Sequence, residues 1–226
     1  SKYISFPALL AGLLMVHLML LISRGKWHTL KRLALPSLGM ILFLLFFPGL
    51  GKFQPGVYIY NCGNADCSLM RLDKDTELMI DTGGVYGLLS ETGSLSTEQL
   101  LEDNWMQRRL LRHLGKSGIQ ELDLLALTHL HNDHYGGLAS LLRAIRVRRL
   151  LIGSQVLESE LWRELEPKLE LSRTQIIPVQ GGDSLILGDA VLHVLHPDEG
   201  FSAADLNNRS LVLRVDWQGK RLLFTG

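Results

Sequence analysis

Two cysteines in 226 residues exclude a small fold built on disulfides, and the length is enough for one sizeable domain with its own core. No internal repeat, low-complexity tract or long linker interrupts the chain. Charge of one sign is also missing overall, because 23 basic residues balance 23 acidic ones. That balance hides an uneven distribution. Residues 1–51 contain Lys2, Arg24, Lys26, Lys31 and Arg32 and no acid at all, which leaves 18 basic and 23 acidic side chains in residues 52–226, a net of −5. The second part is therefore not a simple basic nucleic-acid module.

What the first part has instead is apolar length. Tyr3–Ser23 gives 21 consecutive uncharged residues and Leu33–Gly51 gives 19 more. At about 1.5 Å rise per residue, each run is long enough to cross a hydrocarbon layer of about 30 Å. A secretory signal would be shorter and would not be followed by a second such run. The expectation is a transmembrane helical hairpin over 1–51. Its loop, 24–32, carries Arg24, Lys26, Lys31 and Arg32 beside Trp27, and the bias of cationic loops toward the cytoplasm puts it inside. Everything after Lys52 then faces the other side. The chain opens abruptly on its first span, which reads as a piece of a protein with more membrane passes.

Residues 52–226 alternate strands and helices. Val57–Asn61, Ser68–Leu72 and Glu77–Asp81 read as an antiparallel meander, and a helix is expected from a Ser96 or Thr97 cap to Leu114. Leu122–Thr128 reads as a buried strand, followed by a helix over Tyr135–Ile145, a strand over Val147–Ile152 and a helix over Glu158–Leu169. Strands are expected at Gln175–Val179, Ser184–Leu187, Ala190–Leu195, Ser210–Asp216 and Lys220–Phe224. This is an α/β (α+β) pattern, mixed sheets with helices on their faces.

Three of the chain's 8 histidines fall within six residues, His129-Leu130-His131-Asn132-Asp133-His134, between a buried strand and a helix start. Side chains two apart on an extended segment point the same way, so His129 and His131 can grip one ion together. Asp133 and His134 turn toward a second position as the helix begins. Imidazoles with a carboxylate suit Zn or Mn better than Ca, as one or two divalent ions. Gly136 and Gly137 leave room for close approach of the loop and helix. His196, at the end of a strand and before Pro197, is a further candidate metal ligand; a structural strand-end histidine is the alternative. Asp81-Thr82-Gly83 matches an aspartic-protease triplet, but that chemistry needs a second carboxylate and leaves the histidines unexplained. Cys62 and Cys67 could pair only if the segment between them turns back. Arg143, Arg146, Arg148 and Arg149 read as a solvated face or, alternatively, a phosphate track.

The stretch ALTHLHNDHYGGL resembles the HxHxDH signature of the metallo-β-lactamase superfamily, and Leu78–Gly84, LMIDTGG, is similar to its earlier strand-end motif. The resemblance implies an αββα sandwich. It assigns His129 and His131 to one metal, Asp133 and His134 to another, Asp133 as the catalytic carboxylate, and Asp81 as a support behind the metal loop. With the preceding hairpin, Gly63 and Asp66 in a turn matching a "VGQGD" pattern, Asn207–Leu213 and Leu222–Gly226, the chain also resembles the hydrolase-like C-terminal domain of ComEC-type DNA-internalisation proteins. That family implies a multi-pass bacterial cell-membrane channel with the domain on the non-cytoplasmic side, and single-stranded DNA, the lipid bilayer and other DNA-uptake components as partners. Family members often carry Asp where this chain has His131, the pattern "VGQGD" is here CGNADC, and the Asn207/Asn208 region takes the place of a histidine ligand. A bridging aspartate is expected just past Gly226. A tethered hydrolase of another ester, thioester or phosphodiester, and a non-catalytic channel-positioning domain, remain alternatives.

Overall fold

The computed structural model describes residues 53–84, 109–169, 171–203 and 205–226, with isolated helical positions at 12, 15, 16, 19, 22 and 39. Apart from those six positions the expected membrane hairpin lies outside the described residues, as does the helix expected before residue 109. Among the described residues no helix is long and apolar enough to cross a membrane. The chain divides into two units, Ser1–Lys52 with Lys116–Gly118, and Phe53–Gly115 with Ile119–Gly226.

The second unit is built on two main sheets, with a two-stranded one beside them. Strands β1 (Gly56–Ile59), β2 (Ser68–Asp73) and β3 (Thr76–Ile80) form the antiparallel meander. After helix α1 (Leu111–Lys116) and the short strand β4 (Glu121–Leu122), strand β5 (Leu124–Leu127) joins β3 in parallel. Helices α2 (Asn132–Tyr135) and α3 (Leu138–Ala144) lead to β6 (Arg146–Val147), which pairs with β4, and to β7 (Arg149–Gly153), parallel to β5. Helices α4 (Ser154–Leu157) and α5 (Glu160–Leu165) precede β8 (Gln175–Val179), parallel to β7. The first sheet thus has six strands in the order β1-β2-β3-β5-β7-β8. Strands β9 (Ser184–Leu187), β10 (Ala190–His196), β11 (Val212–Trp217) and β12 (Lys220–Thr225) make the second, an antiparallel sheet of four in the order β12-β11-β10-β9.

Alternation of side chains along the strands separates two cores. Along β5, Leu125 and Leu127 face Leu138, Leu141 and Leu142 of α3 and Trp162 and Leu165 of α5. Leu124 and Ala126, pointing the other way, meet Leu192 and Val194 of β10 and Leu213 and Val215 of β11 between the sheets. A strand buried on both faces must be apolar throughout, which is why LLAL shows no polar alternation. Helices α1 to α5 all contribute to the first core. The outer face of the second sheet leaves Ile186, Leu195 and Leu223 exposed.

Several elements are shorter than their patterns predict. The helix expected over Tyr135–Ile145 is two helices divided at Gly136 and Gly137, and that over Glu158–Leu169 is reset at Ser159, which caps α5 by accepting from the Trp162 N–H. Leu122–Thr128 breaks at Asp123. The Asp123 N–H donates to the Glu77 carbonyl while its carboxylate accepts the Glu77 N–H, so this residue is tied sideways to β3.

Candidate metal centre

The histidine cluster lies beyond the carboxyl ends of parallel strands, where an open α/β sheet leaves a crevice. Asp81 follows β3, and Thr128 to His131 follow β5. From the second sheet side, the turn Asn207–Arg209 precedes β11, and Gly226 follows β12 and lies against Thr128 and Ser210. The Leu211 N–H donates to the Thr128 carbonyl at 2.8 Å and stitches the two sheets together at the site.

Asp81 anchors the cluster. It is 2 % exposed, with a positive φ of 56°, a region that Asp tolerates better than most residues. Its Oδ1 accepts the Thr128 N–H at 2.8 Å, and its Oδ2 accepts the Thr128 hydroxyl at 2.8 Å and His134 Nδ1–H at 2.8 Å. The Thr128 hydroxyl has one proton and spends it on Asp81, so at 3.1 Å it accepts from His129 Nδ1–H. The network therefore assigns the same tautomer to His129 and His134, with the Nε2 lone pair of each turned away from the anchor.

Burial lowers the His129 pKa to about 3, and the neighbouring His134 and His131 add to the effect. Burial works the same way on His134, but the hydrogen bond and charge of Asp81, aided by Asp133 and Asp66, outweigh it and the pKa rises. Burial raises Asp81 against the pull of His134 and Thr128, so the Asp81–His134 pair holds its proton more tightly than either group would alone.

The structure brings four of the sequence-derived candidates together. The rings of His129 and His134 are 4.1 Å apart and those of His129 and His131 4.7 Å. His131 Nδ1 lies 3.0 Å from His129 Nε2 and 3.0 Å from Asn207 Oδ1, and Asp133 Oδ2 lies 3.9 Å from His134 Nε2. His196 is occupied differently. Its Nε2 donates to the Asn208 carbonyl at 2.9 Å, its ring stacks edge-on against Phe201, and Asn207 takes the place beside His131. Thr128 and Asp66 were not singled out as site residues by the motifs. Asp66 is visible in the sequence only as one letter of a turn, yet its Oδ2 lies 3.9 Å from His134 Nε2.

Among the described residues no three His, Cys, Asp or Glu side chains stand in a ready ion-holding arrangement, and His129 Nε2 lies against His131 Nδ1 at 3.0 Å. The donor set still fits a divalent ion of the Zn or Mn kind. Three imidazoles and two carboxylates meet, and two of the imidazoles already have the ring nitrogen opposite the crevice tied to a fixed acceptor. The cysteines are both free thiols: Cys62 Sγ donates to the Ala65 carbonyl at 2.8 Å, and burial, then the charge of Asp66, push its pKa up to about 11. The arginines after α3 are largely engaged. Arg146 pairs with Glu121, Arg148 with Glu121 and Asp123, and Arg149 donates to the Asp123 carbonyl.

A fold of two stacked sheets with its polar cluster at the strand ends defines a class, and the sequence agrees with it. The family model described as the metallo-beta-lactamase superfamily matches residues 60–226, and the chain belongs to that superfamily. It is 31% identical over 194 residues to the ComE operon protein 3 of Bacillus subtilis (strain 168), across 82% of this chain and 24% of that protein. The chain thus spans about a quarter of that relative's length, and the resemblance to ComEC-type proteins holds along the aligned part. Among solved structures, a metallo-beta-lactamase of Cronobacter sakazakii with a HARLDQ motif matches with a TM-score of 0.50 at 16% identity, covering 75% of this chain and 55% of that one. The metallo-beta-lactamase fold protein YhfI from Bacillus subtilis matches with a TM-score of 0.49 at 15% identity, covering 75% and 61%. At such identities the Cronobacter likeness is one of fold alone.

Proposed function

We propose that the chain is the metal-dependent hydrolase domain of a DNA-uptake channel, held on the non-cytoplasmic side of a bacterial cell membrane and acting on nucleic-acid phosphodiesters. The observation that carries this reading is the shared orientation of His129 and His134, each fixed through Nδ1 by the Thr128–Asp81 anchor. His129 and His131 would hold one ion, and Asp133 and His134 a second. A divalent ion supplies Lewis acidity when bound, bringing proton loss from water into the neutral range and polarising a phosphoryl oxygen. Asp133, at the start of α2, is the carboxylate that takes up the proton of the attacking water. His129 is neutral at physiological pH, so it is available as a donor without first losing a proton. Asp81 and Thr128 keep the two imidazoles in one tautomer while substrate and product exchange.

The test is cleavage of single-stranded DNA by the purified full-length protein in Mn²⁺ or Zn²⁺. Cleavage is expected, and His129→Ala is expected to abolish it while leaving the far-ultraviolet spectrum unchanged. DNA left intact by metal-loaded protein sinks the nuclease reading, and a panel of esters, thioesters and lipid phosphodiesters then separates another hydrolase from none. The direct contact between His129 and His131 favours one second reading, a domain that positions the channel without catalysis.

A further inference from the structure

Asp66 sits in a turn whose position is determined by the site itself. Its N–H donates to the Asp133 carbonyl at 3.2 Å, and its own carbonyl accepts the Gly83 N–H at 2.8 Å. The turn is therefore fastened on one side to the start of α2 and on the other to the segment that carries Asp81. The base of the turn is closed by the Tyr60 N–H donating to the Cys67 carbonyl at 3.0 Å. The backbone of Asp66 is held while its side chain is 72% exposed, so the carboxylate is free to swing over the crevice from a fixed root.

That carboxylate faces a buried nitrogen. His134 is 6 % exposed, and with its Nδ1 committed to Asp81 its Nε2 is directed at two carboxylate oxygens, Asp66 Oδ2 and Asp133 Oδ2, each 3.9 Å away. A gap of 3.9 Å is too long for a hydrogen bond. It is shorter than two metal–ligand bonds laid end to end, about 4.0–4.3 Å for imidazole and carboxylate on Zn. One ion can therefore touch His134 and either carboxylate after only a small side-chain rotation. Two acids converging on one buried imidazole nitrogen, without bonding to it, is the arrangement expected of ligands whose common partner is a cation.

We propose that Asp66 is a cation-holding carboxylate of the second site, sharing that ion with Asp133 and His134. The proposal rests on the metal-centre reading above and extends the ligand set beyond the histidine motif to a residue more than sixty positions earlier in the chain. It also gives the turn a purpose. By fastening Asp66 to Asp133 and to the Asp81 segment, the backbone bonds make the second site a property of three separate chain segments rather than of one loop.

The test uses metal-stripped full-length protein titrated with Mn²⁺, followed by paramagnetic resonance, and with Zn²⁺ against a chromogenic chelator. Wild type is expected to bind two ions. Asp66→Asn, nearly isosteric and able to keep both backbone bonds, is expected to weaken the second ion on the order of 10- to 100-fold and leave the first unchanged. Asp66→Glu is expected to recover part of the loss. A melting temperature equal to wild type without metal excludes a folding defect. Equal affinity of Asp66→Asn and wild type for both ions overturns the proposal and leaves the hydrolase reading standing. A weakened second ion in protein that never cleaves DNA supports it while the hydrolase reading falls. No ion bound by wild type overturns both.

Discussion

At the residue scale the site depends on Asp81, because one buried carboxylate orients two imidazoles, one directly and one through Thr128. Removing one partner from a buried, hydrogen-bonded pair leaves the other uncompensated, so Asp81→Ala is expected to cost about 3–5 kcal/mol in denaturant unfolding. Thr128→Val removes the hydroxyl's bond to Asp81 together with the link to His129 but leaves the direct Asp81–His134 bond, and it is expected to weaken the first ion more than the second. The two imidazoles also predict opposite responses to acid. The His129 pKa is depressed to about 3, so between there and its unfolded value near 6.5 the unfolded chain binds the extra proton, and the stability this residue contributes above that range is lost as pH falls through it. His134, raised by Asp81 after its burial is overcome, contributes stability that is present at low pH and lost as pH rises through its folded value. The raw curve therefore mixes the two signs. The difference in unfolding free energy between metal-free wild type and His129→Leu isolates His129, and it should shift in favour of the variant between pH 7 and pH 4; a difference independent of pH would refute the assignment. Of these residues, the motif made His129, His131, Asp133 and His134 legible because they are adjacent in sequence. Thr128 was not, since what matters in it is a hydroxyl's single proton, and Asp66 was legible only as one letter of a turn pattern, which does not say that the turn folds back onto the site.

At the scale of elements, the site is held where glycine allows backbones to touch. A Cβ on Gly84 would collide with the Asn132 carbonyl, and one on Gly136 would meet the same carbonyl, Asn132 Oδ1 at 2.7 Å and Gly84 Cα at 3.0 Å. The carbonyl is a backbone group inside α2 and cannot swing aside as a side chain would. Gly84→Ala and Gly136→Ala are each expected to destabilise by about 1–3 kcal/mol and to loosen the second ion. The double variant should cost less than the sum, because both push on the same carbonyl, and a double-mutant cycle in urea measures the shortfall. The sequence marks this pair of glycines only in part: Gly136 reads as making room, but its partner Gly84 lies 52 residues earlier. Strands Gln175–Val179 and Ser184–Leu187 were legible to their ends, whereas the strand buried on both faces lost its first residues to the side bonds of Asp123. Helices were overextended where a bond outside the helical ladder interrupts them, locally at the Ser159 cap and through the fold at Gly137, whose N–H donates to the Gly83 carbonyl instead of continuing α2.

For the whole molecule, the apolar alternation identified strands but not which sheet each joins. β8 closes the first sheet and β9 opens the second, with only the Gln180–Asp183 turn between them. Pairing partners are non-local, and a period of two says which face is buried without saying against what. Electrostatics at this scale is more readable. Residues 52–226 carry a net of −5, and two divalent ions bring that to −1, so any affinity for a polyanion should rise when the site is filled. The arginines near β6 and β7 offer little to offset the acids, because Arg146 and Arg148 are committed to Glu121 and Asp123. Retention of single-stranded DNA by the full-length protein in a gel-shift assay is therefore expected to require Mn²⁺ or Zn²⁺, to disappear with chelator and to fall as salt is raised. Arg146→Ala is expected to leave it unchanged, whereas the His129→Ala, His131→Ala double variant removes it. Binding that survives the chelator and is lost in Arg146→Ala would place the contact with DNA on the arginine face instead of at the metal centre. In cells, normal DNA uptake by the double-histidine variant would separate transport from chemistry and leave the domain a positioning role in the channel.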